Sequence, residues 1–416
     1  MQTNLTRTYR FHHQGKKVTV PPSRAAEAKN IDKDGNGYLK NDEIAYYYGL
    51  PEESRFGNSR EKRLFENKFH LAGTPNPVKD GYRSFADIEN GLKALAKKYP
   101  DACELKELGK TAEGRPIYAL RVTADAKKDS SHKVGVVFKG LEHAREWSTA
   151  EVVFDSATTT LEKFAAGDKD YARRLEGTEL WFSPVINGDG LEYSREKDSA
   201  WRKNRAPVDT TVNGARILEV GVDINRNYGD GSELGNLIFR PEGDKPNHWQ
   251  DDFENGNDAP WSPVYRGEFG GSEAETDAIQ KLELGHPNIR GVLSYHSFGE
   301  SFVYPPGYRK GDVEHGDLFR RIGGKLVEAA GGDMELKTSC GLYPISGSGL
   351  DIQYINGIVG MLVEINDCFQ PDPSVLAPTG ERFHRANMTF VDELLKESQK
   401  GNLPERIIPD RYNMVK

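Results

Sequence analysis

The stretch KVGVVFKGLEHAREWSTAE, residues 133–151, runs from an apolar segment directly into a group of polar side chains. Valine and phenylalanine dominate residues 133–139, and this pattern predicts a buried strand. Residues 148–164 predict a helix, with Ser148 and Glu151 at the spacing of a capping box. Between these two elements lie His143, Arg145 and Glu146. A strand that leads into a helix predicts an α/β unit, in which ligands collect beyond the carboxyl end of the strand.

Strand and helix patterns alternate along the rest of the chain. The predicted strands are 133–139, 180–186, 289–295 and 358–365. The predicted helices are one that starts at Ser84, then 148–164, 272–284 with a second capping-box spacing at Ser272 and Glu275, and 389–398. This alternation predicts a mixed or mostly parallel sheet covered by helices. Residues 229–257 are rich in glycine, asparagine and acidic side chains and predict a surface loop.

The composition is ordinary for a globular chain, with 36% hydrophobic and 29% charged residues among 416. This length accommodates one large α/β domain with an appendage. The formal net charge of −8 argues against a general nucleic-acid partner. No apolar run reaches the roughly 18 residues that a membrane span needs. Because the first residues contain no apolar signal core, the chain is either cytosolic or lacks its export signal.

Ionisable side chains follow three of the predicted strands. His143 and Glu146 follow one strand, His296 follows a second, and Glu364 ends a third. Two histidines and one carboxylate form a three-ligand zinc set that leaves a coordination position open. That open position allows zinc to activate a water and to polarise a carbonyl group. On spacing alone this interpretation competes with a structural one, because a histidine at a strand end often serves only the fold.

Eight short segments along the chain add to this pattern of polar residues after strands. They are GRPIYALRV (114–122), HAREW (143–147), NGDGLEYSREKDSAWRKNR (187–205), GVDINRNY (221–228), SEAET (272–276), YHSFGESFVYPPGY (295–308), LYPISGSGLDIQY (342–354) and VEIND (363–367). With them the chain resembles the zinc carboxypeptidases of the carboxypeptidase A type. The resemblance implies a single α/β domain over residues 78–400, with a mixed, twisted central sheet of about eight strands flanked by helices. A tail, 401–416, follows.

The resemblance also implies roles for the residues that perform the chemistry. His143, Glu146 and His296 match the ligands of one catalytic zinc ion. Glu364 matches the general base, which takes a proton from the zinc-activated water and passes it to the leaving amine. Arg202 matches the cation that stabilises the oxyanion of the tetrahedral intermediate. The implied reaction is hydrolysis of the C-terminal peptide bond of peptides or proteins.

Further matches concern substrate binding. Asn225 and Arg226 match the pair that grips the terminal carboxylate, for which a guanidinium fork is well suited. Tyr343 matches a mobile tyrosine that closes over the bound C-terminal residue. Arg145 and Ser297 match positions along the path of the substrate's upstream residues. Two departures from the family pattern are Ser199, where a second arginine is usual, and Phe298, where tyrosine is common.

Leu350 occupies the position that separates the family's specificities, at the floor of the pocket for the C-terminal side chain. An acid at this position would select C-terminal lysine or arginine. An aliphatic side chain cannot pair with a cation, and an unpaired ammonium group is costly to bury. We therefore expect a preference for aliphatic or aromatic C-terminal residues.

The N-terminal segment, 1–77, contains the stretch DKDGNGYLKNDE at positions 32–43. This stretch matches an EF-hand calcium loop, with oxygen ligands from Asp32, Asp34, Asn36, the Tyr38 carbonyl and Glu43. The alternative is a polar loop without an ion. Because EF-hands usually act in pairs and only one is found, a fixed structural Ca²⁺ is favoured over a regulatory switch.

Four functions are compatible with these residues: a C-terminal exopeptidase, a zinc-dependent deacylase or cell-wall amidase, a binding protein with a relic site, and a calcium sensor. Asn225, Arg226 and Tyr343 favour the first, since they serve a free α-carboxylate. We expect a monomer that is secreted or extracytoplasmic and has no membrane or nucleic-acid partner. Cys340 and Cys368 either pair as a disulfide or remain thiols.

Overall fold

The structure is a computed structural model. It describes residues 10–13, 16–19, 77–212, 215–240, 258, 260, 262–342 and 345–413. The predicted calcium loop at 32–43 and the predicted substrate-closing residue Tyr343 lie outside the described residues. The cysteines are thiols in this structure.

Eight strands form one mixed sheet. The strands of the described chain are β1 (Arg10–His13), β2 (Lys16–Thr19), β3 (Cys103–Lys110), β4 (Pro116–Val122), β5 (Val134–Lys139), β6 (Thr178–Ser183), β7 (Pro207–Val212), β8 (Ala215–Val220), β9 (Ile289–Ser297), β10 (Ser301–Tyr304), β11 (Glu335–Thr338) and β12 (Val359–Ile365). The sheet has the order β11-β10-β12-β9-β5-β6-β4-β3, and β1-β2 and β7-β8 are separate antiparallel hairpins. Its central strands β12, β9, β5 and β6 are parallel. The predicted mixed sheet of about eight strands is confirmed.

Ten α-helices connect and cover the strands in the described part of the chain. They are α1 (Phe85–Lys98), α2 (Trp147–Ala165), α3 (Lys169–Gly177), α4 (Gly188–Glu196), α5 (Glu233–Phe239), α6 (Ala274–Gly285), α7 (Gly316–Ala329), α8 (Ser339–Leu342), α9 (Gly349–Ile355) and α10 (Leu376–Gln399). Short 3-10 turns occupy Pro77–Gly81, Ile224–Arg226, Pro373–Val375 and Asp410–Tyr412. None of these helices is long and apolar enough to cross a bilayer.

The core lies on both faces of the sheet, as the alternation of side chains along a strand requires. In β5, Val136 and Phe138 enter a core layer beneath helices α1, α2, α7 and α10. Val137 points to the opposite face and packs in a layer with α6. Because both faces of β5 are buried, the strand reads as a continuous apolar run in the sequence.

Helix α1 starts at the predicted Ser84, which forms a capping box with Asp87, but two other helix starts differ from the predicted capping boxes. Helix α2 begins at Trp147, and its N-cap, Glu146, makes no side-chain cap bond. Ser148 instead accepts a hydrogen bond from Asn366 Nδ2, and Glu151 binds Arg83. Helix α6 likewise begins at Ala274 without a side-chain cap. These two predictions were wrong because tertiary partners outcompete local capping.

Two segment predictions also need correction. Residues 229–257, predicted as a surface loop, include helix α5, whose N-cap Ser232 accepts from Gly235 N at 2.9 Å. The C-terminal helix α10 is longer than the predicted 389–398. Beyond it, the chain continues along the domain, where the hydroxyl of buried Tyr412 receives a 2.6 Å hydrogen bond from Gln280.

The parallel strands place the candidate site at one edge of the sheet. His143 lies just beyond β5, His296 lies near the end of β9, and Glu364 lies near the end of β12. Glu364 pairs with His296 in the strand register. The three carboxyl ends therefore meet, although the residues are far apart in sequence.

Candidate active site

Three buried side chains converge at this edge of the sheet. His143 Nδ1 lies 2.8 Å from Glu146 Oε1, and His296 Nδ1 lies 3.1 Å from Glu146 Oε2. The two imidazole Nδ1 atoms are 3.1 Å apart. One donor atom from each residue thus lies within 4.8 Å of the others, which is the spacing of a metal site.

The outer nitrogens of both imidazoles face carboxylates. His143 Nε2 lies 3.1 Å from Asp223 Oδ1, and His296 Nε2 lies 2.8 Å from Glu142 Oε2. With the proton on Nε2, where a carboxylate accepts it, each imidazole would offer its Nδ1 lone pair to a bound metal ion. Two lone pairs and the Glu146 carboxylate then face a common point. This N, N, O donor set fits zinc.

The electrostatics of the cluster favour a cation. Burial alone would raise the pKa of Glu146, but the adjacent His143 and His296 imidazoles hold this pKa below its usual range. Burial would likewise lower the pKa of His296, yet Glu146 and Glu142 raise it to about 10. Without a metal ion, the carboxylates thus draw a proton onto this imidazole. A divalent cation satisfies the same negative charge.

Asp223 links the predicted ligand His143 to the predicted oxyanion residue Arg202. Arg202 Nε and Nη2 each lie 2.8 Å from Asp223 Oδ2. Arg226 Nη1 lies 4.0 Å from the same oxygen and donates to Asn225 O at 2.9 Å. Burial opposes ionisation of Asp223, but Arg202 and its neighbours keep its pKa well below the usual range. The sequence reasoning missed this residue, although it lies inside the quoted GVDINRNY segment.

Glu364 is half-buried and lies opposite His296 in the strand register. Its Oε2 atom is buried and has no hydrogen-bond partner among the residues that the structure describes. Burial, together with the Glu146 charge, raises the pKa of Glu364 to about 7, although His296 and Arg202 act in the opposite direction. A carboxylate with such a pKa beside a metal site suits general acid–base chemistry near neutral pH.

A small cavity of about 10 Å³ lies next to Leu350. Leu350 packs with Val303 and Leu362 in a small buried apolar cluster. Asn225 connects the two sides of the site, because its Oδ1 accepts from Gly349 N at 3.2 Å and its Nδ2 lies 3.4 Å from His296 Nε2. The structure thus places Leu350 near Asn225, which in turn lies beside His296.

The loop before Leu350 approaches Arg226 closely. Gly347 has a φ of +61°, and a Cβ at this position would collide with the carbonyl group of Arg226. Its own carbonyl oxygen accepts from Tyr228 N at 3.0 Å. Glycine is therefore required here, and its contact fixes the pocket loop against the predicted carboxylate-binding pair.

Both predicted upstream positions, Arg145 and Ser297, are buried. The Arg145 guanidinium stacks 4.1 Å from the ring centroid of Phe369, and its Nη1 donates to Ala200 O at 3.3 Å. Ser297 ends β9 and is buried. Phe298, the next residue, packs against the same Phe369 ring at a centroid distance of 4.8 Å.

A buried charge group beside the site was also missed by the sequence reasoning. Lys139 and Glu142 are both essentially inaccessible to solvent, and Lys139 Nζ lies 3.2 Å from Glu142 Oε1. The available signal was a lysine at the end of an apolar strand and a glutamate directly before His143. Burial of either charge requires a partner that the sequence does not reveal.

Comparisons with known proteins agree with this geometry. The sequence profile of the Peptidase_M14 zinc carboxypeptidase family matches residues 88–386. Human carboxypeptidase A1 is 25% identical over 368 residues, which cover 86% of this chain and 81% of the relative. Metallocarboxypeptidase A of Arthroderma otae is 26% identical over 330 residues, covering 76% and 72%.

Solved structures share the fold. Carboxypeptidase A from Helicoverpa armigera superposes with a TM-score of 0.66 at 20% identity, over 92% of this chain and 89% of that one. Bovine thrombin-activatable fibrinolysis inhibitor, solved with a tick carboxypeptidase inhibitor, gives a TM-score of 0.61 at 23% identity, over 76% and 98%. Since the family profile spans well over half of the sequence, the chain belongs to the zinc carboxypeptidase family and is a metallocarboxypeptidase.

Proposed function

We propose that this enzyme hydrolyses the C-terminal peptide bond of peptides or proteins and prefers aliphatic or aromatic C-terminal residues. The observation that supports this most directly is the convergence of two imidazole Nδ1 atoms and the Glu146 carboxylate beside Glu364. His143, Glu146 and His296 would hold one zinc ion. When bound, zinc supplies a Lewis acid that polarises the scissile carbonyl group and lowers the pKa of the attacking water.

The remaining steps belong to the side chains around this centre. Glu364 removes a proton from the attacking water and returns it to the nitrogen of the leaving amine, so the C–N bond breaks without release of an amide anion. Arg202 faces the negative charge that develops on the carbonyl oxygen. Its two contacts with Asp223 hold the guanidinium in place before the substrate binds.

Recognition of the substrate's C-terminal end falls to Asn225 and Arg226. The Arg226 side chain is buried and its Nη1 donates to Asn225 O at 2.9 Å, which restrains the guanidinium. A rigid guanidinium fork binds a planar carboxylate with little entropy loss. Tyr343 closes over the bound residue, and Arg145 and Ser297 contact the upstream part of the substrate.

The side-chain preference follows from Leu350. Its cluster with Val303 and Leu362 presents an apolar surface to the C-terminal side chain. Lys139 and Glu142 lie beside Leu350 and pair with each other at 3.2 Å. Each also contacts a further buried charged or polar group, so neither is available to pair with a C-terminal lysine or arginine.

Replacement of Leu350 tests this assignment. We expect Leu350→Asp to raise kcat/KM for C-terminal lysine relative to C-terminal leucine by about 10²-fold, because a desolvated opposite charge discriminates strongly. Leu350→Asn, similar in size but neutral, serves as the matched control and should change this ratio little. An unchanged ratio in the aspartate variant, measured on paired blocked dipeptides, would refute the pocket assignment.

The exopeptidase activity itself is tested with blocked dipeptides. We expect release of a free amino acid from an N-acylated dipeptide and little hydrolysis of the same dipeptide with an amidated C-terminus. A deacylase or cell-wall amidase on this scaffold would not need the free α-carboxylate. Equal rates on both substrates would therefore favour that alternative over a carboxypeptidase.

Three predictions from the sequence stay predictions. Calcium binding by residues 32–43, secretion, and a monomeric state rest on the sequence pattern and the resemblance. A variant that starts near residue 78 would show whether the N-terminal segment masks the cleft, since removal of a mask would increase the activity.

A further inference from the structure

Glu142 precedes the ligand His143 in sequence, but its carboxylate contacts the other ligand imidazole. Glu142 Oε2 lies 2.8 Å from His296 Nε2, on the side of the ring that faces away from the metal position. Its side chain is only 1% exposed. The residue next to one predicted ligand in the sequence therefore contacts the other predicted ligand.

Both oxygens of Glu142 are fixed by other groups. Oε2 also accepts a hydrogen bond from Ser294 Oγ at 2.9 Å. Oε1 lies 3.2 Å from Lys139 Nζ and accepts a hydrogen bond from Tyr228 OH. Lys139 Nζ in turn donates to Tyr228 OH at 2.7 Å. The carboxylate thus has one orientation, and a buried cation balances its charge.

The same arrangement occurs on the other ligand. Around His143, the cation is Arg202 and the carboxylate is Asp223, which lies 3.1 Å from His143 Nε2. Around His296, the corresponding groups are Lys139 and Glu142. Each imidazole is therefore backed by a carboxylate that a basic side chain holds in place.

We propose that Glu142, held by Lys139, is a positioning residue that fixes the tautomer and orientation of His296 so that its Nδ1 faces the zinc ion. A carboxylate partner on the outer nitrogen restrains the ring and increases the basicity of the coordinating nitrogen. This inference rests on the proposed function, because it assigns zinc to His143, Glu146 and His296. It adds a contribution to metal affinity from a residue that does not bind the metal.

Lys139 has a second acidic neighbour, and this provides a control. Lys139 Nζ also lies 3.0 Å from Glu283 Oε1, and Glu283 Oε2 accepts from Gln353 Nε2 at 2.9 Å. Glu283 is as deeply buried as Glu142. None of the contacts described for Glu283 reaches a ligand imidazole, so it shares the burial and the cation but not the proposed role.

The test measures zinc affinity by competition with a chromophoric chelator, beginning from metal-free protein. We expect Glu142→Gln to weaken zinc binding about 10- to 100-fold, as losses of such outer partners typically do. Glu283→Gln should stay within about twofold of the unaltered protein. The visible spectrum of the cobalt(II)-substituted protein should shift in Glu142→Gln and not in Glu283→Gln. Thermal unfolding of each metal-free variant separates a change in affinity from a change in stability.

A second variant and the zinc affinity of the unaltered protein complete the test. If Glu142→Gln does not fold, Glu142→Asp keeps the charge toward Lys139 but withdraws the oxygen from His296, and the same loss of affinity is expected. Zinc affinity within about twofold of the unaltered protein in the folded variant would overturn the positioning role. Absence of zinc binding by the unaltered protein would instead overturn the proposed function and this inference with it.

Discussion

Removal of zinc is expected to lower the hydrolysis of a blocked dipeptide by at least about 10³-fold, since the metal contributes several kcal/mol of transition-state stabilisation. Addition of one equivalent of zinc to the chelated enzyme should restore the activity. The predicted ligands all lie in one buried cluster, so no other described group of histidines and acids can take over the ion. The measurement is the release of free amino acid before and after dialysis against a chelator.

A variant of one predicted zinc ligand tests whether the loss of activity depends on His143, Glu146 and His296. His296→Ala should abolish the recovery with zinc, because only two ligands, His143 and Glu146, remain. His132→Ala, at an exposed position, is the matched control and should behave as the unaltered enzyme. Full activity of the chelated enzyme, or recovery of His296→Ala with zinc, would contradict the metal assignment.

Replacement of Glu364 by glutamine is expected to lower kcat by about 10²- to 10⁴-fold, the usual range for loss of a positioned general base. The amide has nearly the same shape but cannot accept the proton of the attacking water. Zinc content should stay at one equivalent, because Glu364 is not among the three converging ligands. KM should change little, since the residue does not hold the substrate's terminal carboxylate.

The control for this variant is Glu314→Gln, the same change at an exposed position near the start of α7. It should leave kcat unchanged. Steady-state kinetics on a blocked dipeptide, together with metal analysis, provide both quantities. A kcat for Glu364→Gln within tenfold of the unaltered enzyme would show that another group accepts the proton.

The strands that form the site were predictable because they are buried on both faces. β5, β9 and β12 have apolar runs that follow directly from this burial, and their predicted positions agree with the structure to within about two residues. The helix starts at Ser148 and Ser272 were not predictable in the same way. An N-cap side chain stabilises a helix by only a few tenths to about 2 kcal/mol. A tertiary hydrogen bond can therefore draw the capping side chain away from the helix end.

The residues of the candidate site also fall into those that the sequence predicted and those that it did not. The sequence by itself determined the family, because eight segments match it in the same order, and the resemblance supplied the predicted set of His143, Glu146, His296 and Glu364. Only the tertiary structure decided that Asp223 and Glu142 stand behind the two imidazoles. Their partners are remote in sequence, and the burial of a carboxylate becomes affordable only where a folded neighbour supplies the opposite charge and the hydrogen bonds.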